Sequence, residues 1–164
     1  MRNPLRNTCY LTLTPELFRL YDVQADSWCS EPPVLAYRTG NNQQRIPVAV
    51  GHAAQACAEQ PGITLVNGFT HPRTLLANFT FAEITMRLLL QKLSAKYALR
   101  LPPILILHPQ ARLEGGLTQI EIRALAEVGH SAGAKQVYVW VGEELSRATL
   151  NTLDFSQAQG QLLS

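Results

Sequence analysis

The chain has 164 residues, 46% apolar and 16% charged, and its 14 Lys and Arg against 12 Asp and Glu give a net charge of +2. That is one domain's length with enough apolar content for a core. So weak a charge excludes the clustered basic footprint of a nucleic-acid binder, and no apolar run of about 18 residues is present to span a bilayer. Residues 1–17 lack the apolar stretch of a secretory signal. Cys9, Cys29 and Cys57 are odd in number and lack C-x-x-C spacing, which predicts reduced thiols and a cytoplasmic setting.

In chain order, residues 9–13 and 17–21 read as two strands joined by a tight turn at Thr14-Pro15-Glu16. Residues 23–32 are polar and turn-like. A third strand is expected at 33–37, a loop at 39–44 where Gly40 and two Asn supply turn chemistry, and a short extended piece at 46–50. A short helix at 51–59 is stopped by Pro61-Gly62, and 63–66 is another strand candidate. Thr80 and Glu83 form a T-x-x-E capping box. Ile84, Leu88, Leu89 and Leu93 then place one apolar stripe on a helix.

Residues 96–101 form a link. Ile104 to Leu107 is an apolar run suited to a strand buried on both faces. Thr118 and Glu121 repeat the capping box, with Ile120, Ile122, Leu125, Ala126 and Val128 following at roughly helical spacing. Gly133 suits a left-handed helix end. Residues 137–141 are β-branched and aromatic, hence a strand. The strand-helix-strand order predicts parallel strands with a right-handed crossover. A last helix is expected at 143–150, then a polar tail at 154–164 that frays. Antiparallel strands feeding a parallel crossover predict an α/β domain: a ribonuclease-H-like mixed five-stranded sheet with flanking helices.

The chain resembles the first half of a bacterial actin of the MreB type. The resemblance rests on Glu31-Pro32 with Val34 and Ala36, Val50-Gly51-His52-Ala53, Pro61-Gly62, and Leu75-Leu76-Ala77-Asn78-Phe79 with Glu83. It continues through Pro109, Thr118-Gln119-Ile120-Glu121 with Arg123-Ala124, Ala132-Gly133-Ala134 with Val137, and Glu143-Glu144. It implies an actin-like fold over a truncated domain at 1–153, with 154–164 as a tail. It also implies where an ATP site would lie. The family's first phosphate loop, Asp-x-Gly-Thr, falls on Thr12, Leu13, Thr14 and Pro15. The acidic metal-organising position is then Thr12, the glycine is Thr14, and Pro15 offers no amide. The second phosphate loop would follow Asn151 and is not found before Ser164. Glu121 falls where the family places a glutamate that positions the attacking water, although a capping role accounts for it completely. In the family the link at Tyr97, Leu99 and Leu101 can touch a membrane, with Lys96 and Arg100 flanking it.

The remaining constellations are expected to be structural. His52, His71, His108 and His130 match no zinc signature. Cys57 reads as a buried thiol, and Glu114-Gly115-Gly116 as a flexible insertion. The expectation is a non-catalytic domain with no cofactor, metal or nucleic acid. Its partner would be a second copy or an actin-like filament protein, in the cytoplasm, with the inner face of the membrane as a second location. A residual ATP-binding half completed by another chain, or a peripheral membrane adaptor, stand as alternatives.

Overall fold

The computed structural model describes residues 7–94 and 101–164. The strands are β1 (Thr8–Leu13), β2 (Phe18–Asp22), β3 (Ser27–Glu31), β4 (Leu35–Thr39), β5 (Arg45–Val50), β6 (Ile63–Val66), β7 (Ile104–Pro109), β8 (Gln136–Gly142) and β9 (Gly160–Leu162). The helices are α1 (His52–Ala56), α2 (Phe79–Ser94), α3 (Gln119–Ser131) and α4 (Arg147–Thr152). Among the described residues, six strands form one sheet in the order β3-β2-β1-β7-β8-β9, and three form a second in the order β5-β4-β6.

The large sheet is mixed. β1 pairs with β2 antiparallel and with β7 parallel, and β7 pairs with β8 parallel, Thr8 facing Ile104 and Leu105 facing Val137. Every residue of β1 is buried, as expected of a central strand covered on both faces. Alternation then divides two cores. Leu11, Leu105 and Val139 pack under α2 and α3 with Met86, Leu89 and Val128. Tyr10, Ile106 and Trp140 point the other way, beneath Leu145, Leu150 and Phe155.

The predicted mixed sheet is present but with six strands, and its third antiparallel member differs. Residues 27–31, read as turn, form edge strand β3, and 35–39 leave to build the second sheet. β3 alternates half-buried and exposed positions, so it lacks the apolar density by which strands are recognised. Residues 154–164 do not fray: β9 pairs with β8. The Thr80/Glu83 box does not form. Asn78 caps α2 instead, its Oδ1 accepting from Phe81 N at 3.0 Å, and Glu83 pairs with Arg87 at 3.4 Å. The stripe of α2 is turned toward Ala82, Met86, Leu89, Leu90 and Leu93, leaving Ile84 and Leu88 half-buried. α3 forms its box as predicted, but Ile120 is 81% exposed. α4 starts at Arg147 under a Ser146 cap, four residues later than expected. Gly133 takes φ +107°, the helix-ending conformation expected there.

Candidate functional site

In open α/β sheets, ligands bind outside the carboxyl ends of the parallel strands. Here Leu13, Pro109 and Gly142 end β1, β7 and β8 at one end of the sheet. The turn after β1, residues 112–118 and the start of α3 surround that end. Residues 67–78 join these pieces. Asn67 Nδ2 donates to Pro15 O at 2.8 Å, Arg112 Nε donates to His71 O at 3.1 Å, and the Thr74 side chain hydrogen-bonds Glu121. Phe69, fully buried, anchors the segment edge-on against Phe18 at 4.7 Å.

The β1–β2 turn is closed by its own groups. Thr14 N donates to Leu17 O at 3.0 Å, and Leu17 N donates to Thr14 Oγ1 at 3.1 Å. Pro15 has no amide hydrogen and is buried. Phosphate loops work by converging free backbone amides on an anion. In this turn the Thr14 and Leu17 amides are already engaged. Thr12 is 1% exposed and sits between Arg19 and His108 in register.

Glu121 is held at the head of α3. Its Oε2 accepts from Thr118 N at 2.8 Å and from Thr118 Oγ1 at 2.9 Å, and Glu121 N donates back to Thr118 Oγ1 at 3.2 Å. The bond from the Thr118 amide, aided by the Thr118 and Thr74 side chains and opposed by burial, holds its carboxyl below the usual glutamate range. The carboxylate is therefore ionised and already engaged as an acceptor.

The other candidates are dispersed. His52 and His130 are exposed, His71 is half-buried, and His108 is buried. Among the described residues, no group of three His, Cys, Asp or Glu could hold a metal ion. Cys9 and Cys57 are buried and Cys29 is half-buried; Cys57 Sγ donates to Ala54 O at 3.3 Å. Gly115 and Gly116 both take positive φ in the 112–118 loop. Tyr97 and Leu99 lie outside the described residues, while Leu101 is 53% exposed. No helix among the described residues is long and apolar enough to cross a membrane.

Two polar constellations escape a reading by motif. Tyr10 Oη contacts His108 Nδ1 at 2.5 Å, His108 Nε2 contacts Gly142 O at 3.0 Å, and Leu145 N donates to Tyr10 Oη at 3.3 Å. With Nε2 donating to the carbonyl, Nδ1 accepts the tyrosine proton, so the ring is neutral. Burial raises Tyr10 to about 12. Burial also lowers His108, the Gly142 carbonyl opposing it. In the second constellation, Glu31 accepts from His52 N at 2.7 Å and pairs with Lys92. Only the Glu31-Pro32 pattern pointed there, and it says nothing of a cation 61 residues away.

The comparisons agree with this architecture. The crystal structure of MreB5 of Spiroplasma citri bound to ADP superposes with a TM-score of 0.60 at 20% identity, over 82% of this chain and 37% of that one. The same protein bound to AMPPNP gives 0.59 at 21%, over 82% and 38%. A non-polymerising MamK mutant bound to AMPPNP gives 0.57 at 11%, over 86% and 41%. The chain thus spans about two fifths of the length of these structures. No curated protein sequence matches it. The MreB/Mbl protein profile matches residues 20–164, and on that match the chain belongs to the MreB/Mbl family.

Proposed function

We propose that this chain is an actin-like protein-binding domain whose β1–β2 turn does not serve a nucleotide. It acts by binding a cytoskeletal or cell-shape filament, or a second copy of itself. The observation that carries the reading is the turn: the Thr14 and Leu17 amides are engaged within it, and Pro15 has no amide to offer. Phosphoryl transfer depends on positioning and charge neutralisation by amides, metal and cations. Glu121 alone supplies none of these and serves α3 as its capping glutamate. MreB-like proteins form filaments and so self-associate, which supports a partner of that kind. On this reading residues 1–153 are the binding domain and 154–164 an appended segment.

A second reading is favoured by the two solved structures of MreB5, which are described as bound to ADP and to AMPPNP. It is a nucleotide site completed by another chain, with Thr12 and Thr14 toward phosphate and Glu121 positioning water. Calorimetric titration of the chain with Mg-ATP decides between them, run alone and with an MreB-type filament protein, and with Glu121→Ala alongside. The expected trace is flat for the chain alone, and with the filament protein it equals that of the filament protein alone. Saturable heat that Glu121→Ala reduces overturns the binding-domain reading.

A further inference from the structure

Residues 155–163 are firmly seated although none of them is fully buried. The hold on β8 is largely backbone. Trp140, Val141 and Gly142 face Leu162, Gln161 and Gly160. Leu163 N donates to Val139 O at 2.8 Å and Glu143 N to Gln159 O at 2.8 Å. The seat demands glycine on both sides. A Cβ on Gly160 would lie 2.5 Å from Trp140 Cζ2 and from Val141 O, and one on Gly142 would strike Gln159 O. Phe155 stacks on Trp140 at 5.6 Å and tilts against Tyr138 at 5.6 Å. Between α4 and Phe155 the chain passes through Leu153 at φ 56°, ψ 31°, a left-handed conformation disfavoured for a leucine.

We propose that the edge of β8 and the Trp140–Tyr138 shelf form a strand-docking surface that a second copy of this chain fills with its own residues 155–163. This rests on the reading above that the chain binds itself. The second copy brings the same Phe155, Gly160 and Leu162, so every contact made within one chain is reproduced between two, as in domain swapping. Opening the link lets Leu153 leave its left-handed conformation, which favours the exchanged form. Leu153 and Asp154, which link α4 to Phe155, are the hinge; extended at about 3.3 Å each they span roughly 7 Å, so the two copies exchange in direct contact. Departure of the segment leaves the core under α2 and α3 almost untouched, because only Leu163 of it packs there. A short tether holds the segment at an effective concentration on the order of 1 mM. Exchange therefore dominates only where copies are crowded.

The test is sedimentation of the 164-residue chain from about 10 µM to about 1 mM, spanning that effective concentration. The wild type is expected to dimerise with rising concentration. Gly160→Val and Phe155→Ala are expected to stay monomeric with unchanged far-UV circular dichroism. In parallel, Val141→Cys and Gln161→Cys chains are mixed at the highest concentration with a short bis-maleimide. The expected product links the two chains at these positions. A wild type that remains monomeric throughout overturns both the exchange and the self-binding reading. A dimer that survives both substitutions, or that gives no 141–161 cross-link, overturns the exchange alone.

Discussion

His108 stands on the last turn of strand register before the carboxyl end of β7, yet it faces protein on every side. Tyr10 holds one ring nitrogen and the Gly142 carbonyl the other, with Glu144 contributing a more distant charge. Burial favours the neutral ring, so the folded-state pKa lies below the ordinary 6.5. A group depressed in this way stabilises the fold above its unfolded pKa, and that contribution is lost as pH falls through the folded value. Stability is therefore expected to drop as pH falls below about 6.5. His108→Ala should flatten that slope while costing about 1–3 kcal/mol at neutral pH, since it strands the Tyr10 hydroxyl. Urea denaturation at a series of pH values measures both effects. The sequence hid this pair. His108 follows the apolar run Ile104 to Leu107, and only register, not spacing, sets it opposite Tyr10's strand. Glu121 was legible because a capping box is local, its two partners three positions apart.

Helices show the same division between local and non-local signals. α3 keeps its predicted cap because Thr118 and Glu121 satisfy each other. α2 had two competing caps in its sequence, and Asn78 prevailed over Thr80. The cause is tertiary: Gly68 O accepts from both Ala77 N and Asn78 N at 2.8 and 3.0 Å, fixing Asn78 as the entry residue. Asn78→Ala is expected to cost about 1 kcal/mol, and Thr80→Ala, on an exposed first-turn position, to stay within about 0.5 kcal/mol. Thermal denaturation of the two variants distinguishes them. β3 was missed for a reason of its own. An edge strand with one wet face needs few apolar residues, and Ser27, Trp28, Cys29 and Ser30 look like turn. Its signature is aromatic packing across the sheet, with Trp28 stacked on Tyr21 at 4.7 Å and Arg19 over the indole at 4.6 Å.

At the scale of the molecule the two sheets meet at Glu31. This residue ends β3, caps the start of α1 and pairs with Lys92 of α2, so one carboxylate ties three elements together. Gly51, at φ +69°, makes room for it, since a Cβ there would collide with the carboxylate. Burial pushes the Glu31 carboxyl up. The hydrogen bond from Lys92, then the His52 amide and the nearby positive charges, more than offset this and hold it below the ordinary glutamate value. Its stabilising contribution is present above the unfolded pKa and is lost on acidification. Glu31→Gln is expected to cost about 1–3 kcal/mol, tempered by the half-exposed lysine. Amide exchange should accelerate in β5 and α1 more than in β1 or β7. Equal acceleration across both sheets would mean that Glu31 supports the whole core rather than the joint. The resemblance located Glu31-Pro32, but a contact across 61 residues is not written in any local pattern.

The parallel pairing of β1 with β7 also sets a timetable for the nascent chain. Tyr10 and His108 stand 98 positions apart, and β1, buried on both faces in the fold, has only β2 beside it until β7 emerges. At about 5–20 residues per second, translation leaves that hairpin exposed for roughly 5–20 s before its other edge can close. Non-local pairings of this kind fold slowly. The newborn chain is therefore expected to engage chaperones that hold apolar strands, and chaperone depletion is expected to show first as aggregation seeded from residues 8–22.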